Sequence, residues 1–380
     1  MVVRHLKNKF LIATVAAVIF ATVATLIILY QATKPEKVLA KFEDAVNQKD
    51  TKQMEKLIKT DNQHALINNV SLKALLNYLK TNNNSYNVVK DGIRTQIKEK
   101  NYSQTNQQIS LIEDGKKWGF FPNYKLMVKT VDLKVSGQND RDKITVSINK
   151  MNLPKKKNQT VYGPFLPGTY QALVTVKNDL GTFFQKEKKD LWGNPEVSLV
   201  IDSNQLARKN KDVQKDIISA IQLFNHDLAV YETSGFDAEK LTNATEDFKD
   251  NFTLEQAQFN LVKEYVDEMQ AQYLGSVVNF DVFSITNFDS VWRAEIEALV
   301  SYNEKIKYKG QKNDKDLSYK SIRKYTLIYN PDKKKWMIDN AKDSEADGNE
   351  SNLWKNKKEI KLKDAPVMKW SREKDSKSNL

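Results

Sequence analysis

Residues 160–178 read TVYGPFLPGTYQALVTVKN. Pro164 and Pro167 lack the N–H that a central ladder needs, and Pro167-Gly168 is a type II turn pair because glycine takes the positive φ. Directly afterwards Tyr170, Ala172, Val174 and Val176 alternate with Thr169, Gln171, Leu173 and Thr175. A period of two marks a half-buried strand. The stretch therefore reads as a tight turn delivering a strand, its aromatics packed at the mouth of a small β-sandwich rather than gripping a ligand.

The same period runs upstream. QQISLIEDGKKWGFFPNYKLMVKTVDLKV, residues 107–135, reads as strand, Glu-Asp-Gly turn, strand, Pro-Asn turn, strand. Leu126, Val128, Thr130 and, after a bulge, Leu133 and Val135 take the inner face, and DKITVSINKMNL adds Ile144, Val146 and Ile148. Before Lys100 the spacing is three and four, which predicts helices. Val38, Leu39, Phe42, Ala45 and Val46 form one stripe, Met54, Leu57 and Ile58 a second, and Leu72, Leu75, Leu76 and Leu79 a third. Pro35 suits a first turn, Glu36 favours the helix N-terminus, and Ser71 is the expected cap of the third helix.

Further upstream, Phe10–Tyr30 is FLIATVAAVIFATVATLIILY, 21 residues without charge, glycine or proline. At ~1.5 Å per residue it reaches about 30 Å, the thickness of a bilayer core. Its Leu, Ile, Val and Phe residues contribute on the order of −5 kcal/mol to insertion. The run stays bulky to its end, unlike the shorter apolar region and small-residue cut site of a secretory signal, so an anchor is expected. Arg4, Lys7 and Lys9 precede it, and the positive-inside rule keeps that end in the cytoplasm. The remainder then faces outward, where its share of the +12 net charge meets membrane or envelope polymer and not nucleic acid. The chain has no cysteine, which excludes disulfides, thiol nucleophiles and thiolate-bound zinc.

The segments GKKWGFFPNYKLMVKTVDLKV and YGPFLPGTYQALVTVKNDLGTF resemble the outer region of the teicoplanin-resistance-associated membrane proteins, the TcaA-like family. Residues 163–170 are similar to the turn that opens a main strand of its β module, and the resemblance extends in order over most of residues 10–343. It implies a membrane helix, a mixed helical and β domain, a small β-sandwich module and a C-terminal NTF2-like domain. It also implies a part in cell-wall homeostasis and in the response to glycopeptide-type wall antibiotics. Members commonly begin with a zinc ribbon; the nine residues before the helix carry no cysteine, so none is expected here.

The C-terminal pattern fits that order. KDVQKDIISAIQLFNHDLAVYETS sets Ile217, Ile221, Phe224, Leu228 and Tyr231 on one helical face, with His226 opposite. TLEQAQFNLVKEYVDEMQAQY is expected as a second helix capped by Thr253, with Glu255 and Glu264 in solvent. Long strands follow in SVVNFDVFSI, WRAEIEALVSYNEKIKYK, YKSIRKYTLIYNP and KKKWMIDNA. Helices followed by antiparallel strands predict an α+β cone wrapped by a curved sheet. Glu295, Glu297, Tyr231 and Tyr302 are the residue types that catalysis in such a cone uses, but the two carboxylates alternate outward.

The expected fold is thus α+β and multidomain. It has a short cytoplasmic segment (1–9), a transmembrane helix (10–30), a helical then β extracytoplasmic domain (31–130), a β-sandwich module (131–203), an NTF2-like cone (208–343) and a basic polar tail (344–380). From Leu353 the tail carries nine Lys or Arg against four Asp or Glu. It reads either as a solvated tail or as an arm that meets anionic polymer or lipid through Trp354, Lys355, Lys357, Lys358 and Trp370. Lys155, Lys156 and Lys157 make a similar run at a hairpin tip.

No catalytic residue, cofactor or metal is expected. The expected partners are the lipid bilayer and an anionic cell-wall polymer, peptidoglycan or a partner membrane protein. The expected role is extracytoplasmic binding or sensing, against an enzyme or small-ligand carrier using a pocket in the cone, or a structural spacer.

Overall fold

The computed structural model describes residues 2–152 and 160–373. The chain forms two compact units, one of Met1–Gly137, Thr145–Val174 and Gln185–Ile201, the other of Gln138–Ile144, Thr175–Phe184 and Asp202–Leu380. The stretch 131–203 is shared between the two.

In the first unit α1 (Val2–Ala32) contains Ala13–Ala32, long and apolar enough to cross a membrane and with none of it buried. α2 (Pro35–Gln48) opens on the expected proline and closes with Lys49 in the left-handed region. α3 (Thr51–Leu57) is capped by Asp50, whose carboxylate accepts from the Gln53 N–H at 3.0 Å. β1 (Ile58–Thr60), α4 (Asn69–Thr81) and α5 (Asn83–Glu99) follow. Asn68, not Ser71, caps α4. Its Oδ1 accepts from the Val70 and Ser71 N–H groups while Ser71 Oγ accepts from the Asn68 N–H, a reciprocal capping box.

β2 (Ile109–Lys117) and β3 (Phe121–Val128) complete a sheet of order β1-β3-β2. The Glu-Asp-Gly stretch is not a turn: it is a bulge inside β2, between Glu113 and Lys116. The hairpin turns instead at Trp118–Phe120, and Pro122-Asn123 lies within β3, where Asn123 donates to the Asp114 carbonyl. Phe42, Met54, Leu75, Leu76, Ile93, Leu111 and Leu126 form the core between helices and sheet. Each such side chain stabilises by roughly 1.5–3 kcal/mol on burial. Gln96 is buried among them; its Nε2 donates to the Ser103 and Leu111 carbonyls and its Oε1 accepts from the Leu111 N–H at 2.7 Å.

Next come β4 (Val131–Ser136), β5 (Lys143–Ile148), β6 (Met151–Asn152), β7 (Val161–Phe165), β8 (Gly168–Asn178), β9 (Gly181–Leu191) and β10 (Glu196–Val200). They make two sheets, β10-β4-β7 and β6-β5-β8-β9. The quoted stretch supplies β7 and β8, and Tyr162, Phe165, Leu166 and Tyr170 are buried, so its aromatics are core. Tyr170 donates its hydroxyl to the Leu166 carbonyl at 2.7 Å. Gly168 is required by a close approach: a Cβ there would lie 2.5 Å from the carbonyl carbon of Ala74 in α4.

The longest segment of the second unit opens with α6 (Ser203–Lys209) and α7 (Lys211–Glu232), followed by the short α8 (Glu246–Lys249) and α9 (Thr253–Val262). All five residues of the expected α7 stripe are buried, and His226 is half-buried. α9 stops eleven residues short of the expected end, and Thr253 is its first residue, donating its hydroxyl back to the Asp250 carbonyl, not its cap. From Val266 the period becomes two. β11 (Val266–Phe288), β12 (Val291–Tyr308), β13 (Lys315–Asp316), β14 (Tyr319–Asn330) and β15 (Lys335–Glu345) follow, with β16 (Lys357–Lys361) and β17 (Met368–Ser371). The sheet order is β15-β14-β12-β11-β16, with β17 also on β11 and β13 on β12. Register shifts at Tyr273/Gly275 and Asn279/Ser284 bend the long β11.

Within the expected tail, residues up to 373 carry two further strands. Lys357–Lys361 pairs with Gly275–Asn279, and Met368–Ser371 with Glu268–Ala271. Its apolar positions, Ile360 and Trp370 among them, are too far apart to read as a strand pattern and become part of a sheet only by pairing with β11.

Candidate functional site

The residues singled out in the tail are not gathered into one surface. Trp370 is 7% exposed, its ring edge-on to Phe259 at 5.1 Å. It is core. Trp354 is half-buried, and Lys357 donates to the Ser351 carbonyl at 2.6 Å, while the Lys355 and Lys358 side chains are exposed. Lys155, Lys156 and Lys157 lie outside the described residues.

The interior of the second unit holds a polar centre instead. α7, β12, β14 and β15 bring together Asn225, Tyr302, Arg323, Tyr325 and Asp343. Arg323 is 3% exposed and donates from Nε and Nη2 to the two oxygens of Asp343, both at 2.6 Å. Nη1 donates to Asn225 Oδ1 at 2.9 Å and to the Tyr302 hydroxyl at 3.2 Å. Tyr325 donates to the same Asn225 oxygen, and Tyr302 to the Asn225 carbonyl. The guanidinium lies over the Tyr302 ring at 5.4 Å, and that ring stacks on Tyr319. Burial works against the Arg323 charge, but the Asp343 hydrogen bonds together with the attraction of Tyr302, Tyr325 and Asp343 outweigh it and its pKa is raised. Burial likewise pushes Tyr302 and Tyr325 up, so both hydroxyls stay protonated.

Beside this centre Glu232, the last residue of α7, meets Glu304 of β12. The Glu304 carboxylate bears directly on Glu232. Glu232 Oε2 and Glu304 Oε1 are buried with no hydrogen-bond partner among the described residues. Burial first, then the neighbouring carboxylate, raises Glu232 well above the ordinary range; burial raises Glu304 too. Such a pair shares one proton. It lines a cavity of about 380 Å³ whose walls include Phe236, Phe259, Val262, Met269, Ile306 and Leu317.

The four residues considered for catalysis are scattered. Glu295 is exposed, Glu297 accepts from Asn279 at 2.8 Å, and Tyr231 donates to Glu255. Tyr302 alone belongs to the polar centre. Sequence reasoning missed Arg323 and Glu304, although a period-two count carries the signal. Arg323 shares parity with the buried Tyr325 and Leu327, and Glu304 with Val300 and Tyr302.

Comparison with known proteins matches two parts of the chain to families. Residues 35–128 match the family described as TcaA protein second domain. Residues 217–342 match the YvbJ NTF2-like domain. The uncharacterized membrane protein YvbJ of Bacillus subtilis (strain 168) is 26% identical over 199 residues, which is 52% of this chain and 31% of that relative. The matched part thus spans about a third of the relative's length. The solved intermembrane space region of chloroplast protein ARC6 aligns at 12% identity and a TM-score of 0.27, over 35% of this chain and 96% of that one, too low to carry a fold assignment. The matches and the α1 helix make this a membrane-associated protein with an NTF2-like C-terminal domain.

Proposed function

For this chain, which belongs to the TcaA-like family, we propose a single-span envelope protein with its N-terminus in the cytoplasm and its folded units outside, binding or sensing rather than catalysing. The family resemblance ties that role to cell-wall homeostasis and the response to wall-targeting glycopeptides. One observation carries the topology: an apolar helix with none of its span buried, preceded by Arg4, Lys7 and Lys9. The polar centre supports binding over catalysis, since the Arg323 guanidinium is taken up by Asp343, Asn225 and Tyr302 within the fold. The ligand in this reading is an anionic wall polymer, drawn by charges whose attraction reaches about 8 Å at physiological salt.

Protease added to intact cells should digest the folded units while cytoplasmic markers survive. The full chain in detergent should be retained by purified wall polymer at low salt and released at high salt. Protected units overturn the topology, and retention that ignores salt overturns the polymer. A second reading, a carrier of a small ligand, is favoured by the cavity on Glu232 and Glu304, which apolar side chains line but do not fill.

A further inference from the structure

At the end of α1 the first unit gathers two features that the proposed function does not use. The first is the tip of the β2–β3 hairpin. Phe120 is 82% exposed and Trp118 48%, although large aromatics at a three-residue turn have little reason to face water. The tip stands beside the apolar helix: the Phe121 ring lies 6.2 Å from that of Tyr30, and Trp118 meets Phe121 edge-on at 6.4 Å. The Lys117 ammonium sits over the Trp118 ring at 4.7 Å. Tryptophan and tyrosine with a neighbouring lysine are the residues that settle at the level of lipid headgroups.

The second feature is a cleft of about 550 Å³ that begins at Ala32 and Thr33 and is lined by Lys37, Lys41, Lys52, Lys56, Lys117 and Lys125. None of these six ammonium groups makes an ion pair with a described residue. The one acid in the lining, Asp50, is occupied in capping α3. Six unneutralised cations along one cleft repel each other unless an anion lies among them. The cleft shares Lys117 with the aromatic tip and starts where the helix ends, so a bilayer spanned by the helix presents its headgroup phosphates to both.

We propose that the hairpin tip and the lysine cleft form an interfacial docking surface for anionic phospholipid, with Trp118 and Phe120 sunk at the headgroup–acyl boundary and the lysines around phosphate oxygens. The proposal rests on the membrane-spanning reading of α1. Its occupant is the lipid of that same bilayer, by continuity with the helix and complementarity of charge. Hydrophobic anchoring by the tip and phosphate neutralisation by the cleft act on one surface. The first unit is thereby held against the membrane by more than its single helix.

The full chain is placed in nanodiscs of phosphatidylcholine alone or with three-tenths phosphatidylglycerol, the lipids brominated high on the acyl chain. Tryptophan emission is compared between the native chain and Trp118→Phe. The difference spectrum, which belongs to Trp118, should be blue-shifted and at least twofold quenched by bromolipid, more strongly with phosphatidylglycerol. The triple variant Lys52→Ser/Lys56→Ser/Lys117→Ser should abolish the preference for phosphatidylglycerol; near a surface each lysine is worth about fivefold in partition. These exposed positions leave the fold intact, checked by an unchanged melting curve. A red, unquenched Trp118 spectrum overturns the anchoring. Equal quenching in both lipids, or loss of the preference when soluble poly(glycerol phosphate) is added at equal phosphate, overturns the lipid as the occupant of the cleft. Failure of the chain to float with the nanodiscs overturns the span itself, and is read separately from the tip.

Discussion

Arg323 and Asp343 face each other across β14 and β15 in direct register, joined by two parallel hydrogen bonds of 2.6 Å. One partner is 3% exposed and the other 44%, so the pair delivers a cation to the interior while its counter-charge stays within reach of water. Bidentate geometry fixes the guanidinium plane that the Tyr302 ring and Asn225 then use.

Asp343→Asn leaves that guanidinium buried beside a neutral amide. Removing one member of a buried pair costs about 3–5 kcal/mol, and the exposure of Asp343 reduces this to about 2 kcal/mol. Thermal unfolding of the full chain in detergent should show the loss in the transition of the second unit. A melting curve unchanged by the substitution contradicts the account.

A Cβ on Gly275 would lie 2.1 Å from the Ile360 carbonyl oxygen, at a φ of +132° that side chains rarely adopt. Gly275→Ala should therefore release β16 from β11 without unfolding the helices of the unit. Limited proteolysis is expected to cut near 350–362 at least tenfold faster than in the native chain. Hydrogen exchange at Ile360 and Lys361 should rise with it.

Gln96→Leu removes the side chain that meets four backbone groups within the first unit, the Asn101, Ser103 and Leu111 carbonyls and the Leu111 N–H. Each buried group left unpaired costs about 1–3 kcal/mol, and leucine fills the volume without replacing a single bond. A loss of about 3 kcal/mol is expected by urea titration. Gln96→Glu should also destabilise, by burying a charge.

The carboxyl pair gives stability a pH dependence. Burial raises both Glu232 and Glu304 above the ordinary carboxylate range, so the folded chain holds its proton more tightly than the unfolded one. The contribution is complete below about 4.5 and is lost as pH rises through the folded values. Arg323 opposes the shift of both carboxyls, and Glu255 adds to that of Glu232. Melting temperatures of the native chain should fall from pH 4.5 towards neutrality. Glu232→Gln, which supplies a permanent donor to Glu304, should flatten that slope; an equal slope in both chains refutes the shared proton.

Local periodicity made much of this architecture legible. The stripes of α2, α4 and α7, the alternation in β8 and the four long strands all follow spacing rules, because one buried face per element is enough to impose them. What spacing did not reveal depends on partners distant in sequence. α5 opens on Asn83-Asn84 and buries only Val89, Ile93 and Gln96, so its stripe is too thin to announce a helix. The first residues of β11 read as helix until β12 and β17 are there to pair with them. Trp370 looks like an interfacial residue beside lysines, and becomes core only once β17 lies on β11. The polar centre was hidden for the same reason: a lone Arg among strand charges is ordinary, and only Asp343 and Asn225, 20 and 98 residues away, give it a role.

β11 is 23 residues long, and on the side away from β12 its backbone groups are taken up by β16 and β17. A shortened protein ending near residue 345 would bare those N–H and C=O groups along one continuous ribbon. Open ribbons recruit whatever extended chain is nearest, including another copy of themselves. β16 and β17 thus act as a built-in guard against self-association, and trimming them away at the limit of the matched NTF2-like domain is expected to yield a protein that folds yet precipitates.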